Sequence, residues 1–255
     1  MQQSNSYIII FAVVLTMILG GLLSGVSQVL GPTQKKAIDL DTKKQILGAI
    51  PSEKEALATM TPEEVIARYG EVITSVVSDY QGNLIEKNEK GGPMVAEEVN
   101  IEKNYKKSAE ERQYPVFKYS ANGETAYILP TFGAGLWDAI WAFVAVSEDF
   151  TTVRGISMAH RGETPGLGAR ITETEVQERY IDKTFVNASG ELVSVVMIKG
   201  EKNPESKLGP TKVDGLAGAT LTAVGVNNML EAYLASYKNY FEKNVKGGNA
   251  LSMNQ

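Results

Sequence analysis

Three glycine-rich segments hold the residues best suited to do chemistry. The last of them, Asp214-Gly-Leu-Ala-Gly218-Ala219-Thr220-Leu221-Thr222, opens a helical pattern. Asp-Gly marks a turn, and Gly218 lets backbone come close to a ligand. Thr220 falls at or just before the first helical turn. Unpaired N–H groups and the positive end of the helix dipole favour an anion there, by about 0.3–1 kcal/mol and up to ~2 when partly buried. A phosphate would be well received. A helix whose entry turn simply needs two glycines and a threonine cap accounts for the same residues equally well.

The second segment is His160-Arg-Gly-Glu163-Thr164-Pro-Gly-Leu167-Gly168-Ala-Arg170. His160 with Glu163 reads as an acid–base pair of a hydrolase, and Glu163 with Arg170 as an ion pair, but the spacing is specific for neither. Pro165-Gly166 and Gly168 make a rigid loop whose backbone can approach a flat ring. In the first segment, Gly133-Ala-Gly-Leu-Trp137-Asp138, the tryptophan is either a core aromatic or a wall beside an aromatic cofactor.

Composition narrows the chemistry. The 255 residues include no cysteine and one histidine, His160. Thiolate-ligated clusters, disulfides, cysteine nucleophiles and His-rich metal centres are therefore excluded. A net charge of −5 leaves no footprint for nucleic acid. Redox or catalytic work must use a bound cofactor, or carboxylates and hydroxyls.

These segments need elements to position them. Val226, Met229, Leu230, Tyr233, Leu234, Tyr237 and Phe241 form one apolar stripe at helical period, with Thr222 placed as its N-cap. Residues 34–69 read as helical, interrupted at Pro51 and Pro62, with Thr61 as an N-cap. Val72–Ser78 reads as a strand that turns at Gln81-Gly82-Asn83. Val116–Tyr119 and Thr125–Leu129 form a hairpin about Asn122-Gly123. Ile140–Val146, Val153–Met158 and Leu192–Ile198 read as strands, and Glu173–Asp182 as a short charged helix. Residues 86–112 form a solvated excursion with a short helix near 108–112. Strands in the middle with helices at the ends predict an α+β domain.

No charged side chain precedes Lys35, and residues 7–30 are apolar over a length that spans a bilayer. The run exceeds that of a signal peptide and lacks its basic start. The expected organisation is a short tail at 1–6, a transmembrane helix at 7–30, a juxtamembrane helical region at 31–70, a soluble domain at 71–246 and a polar tail at 247–255. Lys35, Lys36, Lys43 and Lys44 follow the span, and the positive-inside tendency would put the domain in the cytoplasm.

Asp214-Gly-Leu-Ala-Gly-Ala-Thr220 resembles the flavinylation motif of covalent FMN-binding domains, and Glu163-Thr-Pro-Gly-Leu-Gly168 resembles their second, flavin-lining signature. With Gly135-Leu-Trp137-Asp138 and the single N-terminal span, the chain is similar to the C subunits of Na+-translocating NADH:quinone oxidoreductases. The G subunits of Rnf-type electron transport complexes share both later motifs and usually lack the Gly-Leu-Trp segment; they are the alternative.

The resemblance implies FMN joined by a phosphoester to Thr220, with Gly218, Ala219, Leu221 and Thr222 around the attachment point. Thr222 is the competing acceptor. Trp137, Glu163, Thr164, Leu167 and Gly168 are implied ring contacts, and Asp214 serves a separate flavin transferase. Ala217 departs from the family pattern, which commonly has Ser or Thr there. Also implied are electron relay within a six-subunit inner-membrane NADH:ubiquinone reductase (Na+-transporting), and a periplasmic domain, against the lysine rule. No carboxylate cluster lies within the span, so ion translocation is expected of partner subunits.

Overall fold

The computed structural model describes residues 5–246. The expected polar tail at 247–255 and the first four residues of the N-terminal tail lie outside the described residues. The chain divides into two compact units between Thr42 and Lys43. The first helix, α1 (Asn5–Gly48), is long and apolar enough, by length and composition, to cross a membrane. It continues past Leu30, includes Pro32 and ends at Gly48.

In the second unit, the end of α1 is followed by α2 (Pro51–Leu57) and α3 (Pro62–Val72). Pro62 opens α3 as expected, and Pro51, which reads in the sequence only as an interruption, opens α2. Thr61 caps α3 as expected, in a reciprocal box: its hydroxyl accepts from Glu64 N, and the Glu64 carboxylate accepts from Thr61 N at 2.7 Å. The Glu53 carboxylate on α2 is nearly buried, and it accepts from Arg68 and the Tyr119 hydroxyl. Ile46, Leu47 and Ile50 are fully buried. Any side chain at Gly155 would collide with the Ala49 carbonyl and Pro51.

The central sheet is an antiparallel meander of β1 (Ile73–Ser78), β2 (Tyr114–Ala121), β3 (Glu124–Ala134), β4 (Ala139–Val146) and β5 (Val153–His160), in that spatial order. Asn122 and Gly123 adopt φ of 52° and 78°. That is the left-handed pair a two-residue hairpin needs, and it sets Ala121 opposite Glu124. The excursion before β2 contains α4 (Ile101–Tyr105), which its charge conceals, and the expected short helical turn at Ala109–Glu111.

After β5 come α5 (Thr174–Glu178), β6 (Val196–Met197), α6 (Glu205–Leu208) and β7 (Lys212–Val213), then the long α7 (Thr220–Tyr240). The strand expected over Leu192–Ile198 shrinks to β6, paired in parallel with β7. Ser194 sits at φ 61°, outside the extended region, and Val193 N and Ser194 N both donate to the Phe185 carbonyl. The run is β-branched, but its first half is tied to Phe185 and Val186 and only its second half pairs with β7. The charged helix is also shorter than expected, and Asp182 at φ 60° follows it.

The apolar stripe of α7 packs on the sheet as its period requires, with Val226, Met229, Leu230, Tyr233, Leu234 and Tyr237 all buried. Gly133 and Gly225 permit the approach: a Cβ at Gly225 would run into the Ala134 carbonyl, and one at Gly133 would reach 2.9 Å from Met229 Cβ. The helix starts two residues before the expected cap. Ala219 is the N-cap, without a side-chain cap bond, so Thr222 does not cap α7.

Candidate functional site

The start of α7 meets the β3–β4 turn and the loop after β5 at one carboxylate. Glu163 is 4% exposed. Its Oε1 accepts from the N–H of Trp137 at 2.9 Å and of Asp138 at 3.5 Å, and its Oε2 accepts from the Thr222 hydroxyl at 2.5 Å. Burial alone would push this carboxyl up. The Thr222 hydroxyl and the N–H groups of Trp137, Asp138 and Leu136 outweigh burial and hold it below its ordinary value. The tight packing explains two glycines: a Cβ at Gly135 or Gly168 would meet the Glu163 carboxylate, and at Gly168 also the Thr222 hydroxyl.

Thr222, buried to 1%, has thus committed its hydroxyl to Glu163. Thr220 is the first residue of α7 and is half-buried. No acidic residue occupies the first turn. Ala219 is buried, while Gly218 is exposed at φ 74° and sits against Leu167. The Thr164 carbonyl closes the loop by accepting from Leu167 N and Ala169 N, both at 3.1 Å. Around this point the apolar side chains are turned outward: Trp137 is 70% exposed and Leu221 60%, with Leu136, Leu167 and Val224 also exposed. Trp137 is therefore not a core aromatic.

The segment leading into α7 is held from several sides. The Asp214 carboxylate accepts from Lys202 N at 2.6 Å, Asn203 N at 3.1 Å and Asn203 Nδ2 at 2.8 Å. Burial pushes Asp214 up, but these bonds more than offset it and the carboxyl lies below its usual value. Arg179 donates to the carbonyls of Asp214 and Gly215. Glu201 takes two bonds from Arg170, one from Arg179 and one from Ala217 N. The Arg170 guanidinium holds Glu201 down at about 2.

Two pairings suggested by spacing do not form. Arg170 bonds Glu173 and Glu201, not Glu163. His160 contributes Nδ1 as acceptor for Glu163 N at 3.2 Å, while the Glu163 carboxylate is turned to Thr222 and the Trp137 turn. Sequence reasoning missed Arg179, Glu201 and Asn203, which lie outside the glycine-rich segments and carry no local signal. A cleft of about 400 Å3 elsewhere, lined by Ala49, Lys54, Gly155, Gln177 and Glu178, includes none of the site residues.

Residues 135–235 match the family described as the FMN-binding domain. The chain is 33% identical to the C subunit of the Na(+)-translocating NADH-quinone reductase of Pseudomonas aeruginosa, over 91% of this chain and 92% of that protein. It is 30% identical to the counterpart of the same name from Haemophilus ducreyi, over 96% and 93%. The crystal structure of the corresponding Parabacteroides distasonis protein superposes with a TM-score of 0.69 at 32% identity, covering 83% of this chain and 96% of that one. The Shewanella oneidensis NqrC crystal structure shares the fold at 21% identity and a TM-score of 0.66, covering 83% and 99%.

Proposed function

The chain belongs to the family of Na(+)-translocating NADH-quinone reductase C subunits, and from that premise we propose that it relays electrons through an FMN held by a phosphoester on Thr220. One observation carries the choice of residue: of the two threonines opening α7, Thr222 is buried with its hydroxyl bonded to Glu163, whereas Thr220 stands at the helix start beside outward-turned apolar side chains. The residues fit the cofactor. Gly135 and Gly168 bring two backbone segments together, Gly218 exposes a backbone edge, and Trp137, Leu167 and Leu221 present apolar surface at which a flat ring can lie.

FMN bound here supplies reversible uptake and release of electrons. The protein's part is to hold and orient it. Thr220 anchors the phosphate where the helix dipole favours negative charge. Glu163 fixes the Trp137 turn to α7, so that both sides of the site move together. Asp214 serves recognition by a flavin transferase. Attachment through the phosphate leaves the ring free of covalent bonds.

In the same reading α1 anchors the protein in the inner membrane, the domain faces the periplasm, and five other subunits provide electron partners and the ion path. The Gly135-Leu-Trp137 turn favours this over the G subunit of an Rnf-type complex. The test is mass spectrometry of the tryptic peptide 213–238 from full-length chain co-produced with a flavin transferase. The expected result is an FMN phosphoester on Thr220, with a fluorescent gel band lost in Thr220→Val and kept in Thr222→Ala. An unmodified, colourless protein overturns the proposal.

A further inference from the structure

The segment that must be read and modified is tied into the domain at several points. All three groups bonded to the Asp214 carboxylate come from Lys202 and Asn203. A Cβ at Gly215 would collide with the carbonyls of Ile198 and Gly200, so the backbone there lies against that strand end. Leu216 and Ala219 are buried at 1% and 4%. Arg179 occupies the carbonyls of Asp214 and Gly215, and Glu201 takes Ala217 N. From Asp214 to Ala219, Ala217 and Gly218 are exposed and Asp214 is half-buried, while Gly215, Leu216 and Ala219 are buried. A second enzyme cannot take over the hydrogen bonds of the Asp214 carboxylate, or bind this stretch as an extended peptide, while these bonds stand.

We infer that Thr220 is modified while the 199–219 segment is open, and that closure of the Asn203–Asp214, Arg179 and Glu201 contacts afterwards locks the finished site against further reading. This rests on the phosphoester proposed above. The reaction needs an activated donor, because joining a phosphate monoester to a hydroxyl would require expelling water. A flavin dinucleotide meets that need. The Thr220 hydroxyl oxygen bonds to the flavin-side phosphorus, the pyrophosphate bond breaks, AMP departs with that electron pair, and the hydroxyl proton passes to solvent. No oxidant or reductant is consumed. Opening is local, since it withdraws only Val213, Leu216 and Ala219 from a core that the sheet and the rest of α7 keep packed.

The experiment measures initial rates of fluorescent labelling with purified transferase, a flavin dinucleotide and Mg2+. Its substrates are the detergent-solubilised full chain, its Asn203→Ala variant and a synthetic peptide of residues 208–227. Labelling of peptide and variant is expected to exceed that of the closed chain by about tenfold or more, since each lost bond to a charged group favours opening. As Asn203→Ala could act by unfolding the whole domain, the wild-type chain is also assayed in urea below its unfolding transition, followed by circular dichroism. A rate that climbs while ellipticity stays constant supports local opening. Equal rates for chain, variant and peptide, with no effect of urea, overturn the inference and leave the phosphoester intact. Absence of label from every substrate overturns the phosphoester and the inference with it.

Discussion

Glu163 keeps its charge in a nearly dry place because every nearby donor is turned toward it. Replacing it with glutamine exchanges an acceptor for an N–H group that faces other N–H groups, and Thr222 loses its strong acceptor. Glu163→Gln is expected to lower stability by about 1–3 kcal/mol in urea unfolding, and Glu163→Ala by more. Both variants should still label at Thr220, which separates positioning from attachment. The depressed carboxyls also set an acid limit. Asp214, Glu163 and Glu201 all titrate below their ordinary values when folded, so their contribution is complete above the unfolded value and is lost as pH falls through the folded one. For Glu201 the window runs from 4.5 down to about 2. Glu201→Gln should therefore flatten the fall of stability with pH across that interval, measured by denaturant midpoints. At this scale the sequence was partly legible. The position of Thr220 at a helix start follows from glycine spacing and the apolar period behind it. The burial of Thr222 does not, because its partner lies 59 residues away and nothing local announces it.

Elements were legible wherever one local rule decided them. Proline and threonine start α3, Asn-Gly turns β2 into β3, and the 3.6-residue stripe gives α7. The failure at Leu192–Ile198 has the opposite cause: propensity favoured an extended run, but bonding to Phe185 bent it. The seat of α7 on β3 depends on glycines with no local role. In Gly225→Ala the new methyl would press on the Ala134 carbonyl, and overpacking of that kind costs about 1–3 kcal/mol, occasionally more. The expected outcome is a lower urea midpoint and a looser site, read as faster quenching of bound-flavin fluorescence by iodide. An unchanged midpoint would show that α7 can shift freely, and would detach the site from its sheet.

For the whole molecule, the division between Thr42 and Lys43 predicts independence of the two units. A chain beginning at Lys43 keeps Ile46, Leu47 and Ile50, and should melt within a few degrees of the full-length protein in calorimetry. It should also remain in the supernatant after ultracentrifugation, while the full chain sediments with membranes through its α1 span. The apolar run was plain in the sequence. That the last turn of α1 buries Ile46 and Leu47 in the core was not, because the charge from Lys35 onward masks it.

The chain has two tryptophans, and the fold gives them separate duties. Trp137 has its backbone pinned by Glu163 and its indole in water, at the turn that Glu163 joins to the start of α7, where the flavin is proposed to attach. Trp141 instead donates its indole N–H to Gln45 at 2.8 Å. Ultraviolet emission from this protein therefore holds two built-in reporters, one watching the cofactor's neighbourhood and one watching the last turn of α1. Changing either indole to phenylalanine would let the other be heard alone, with no dye added.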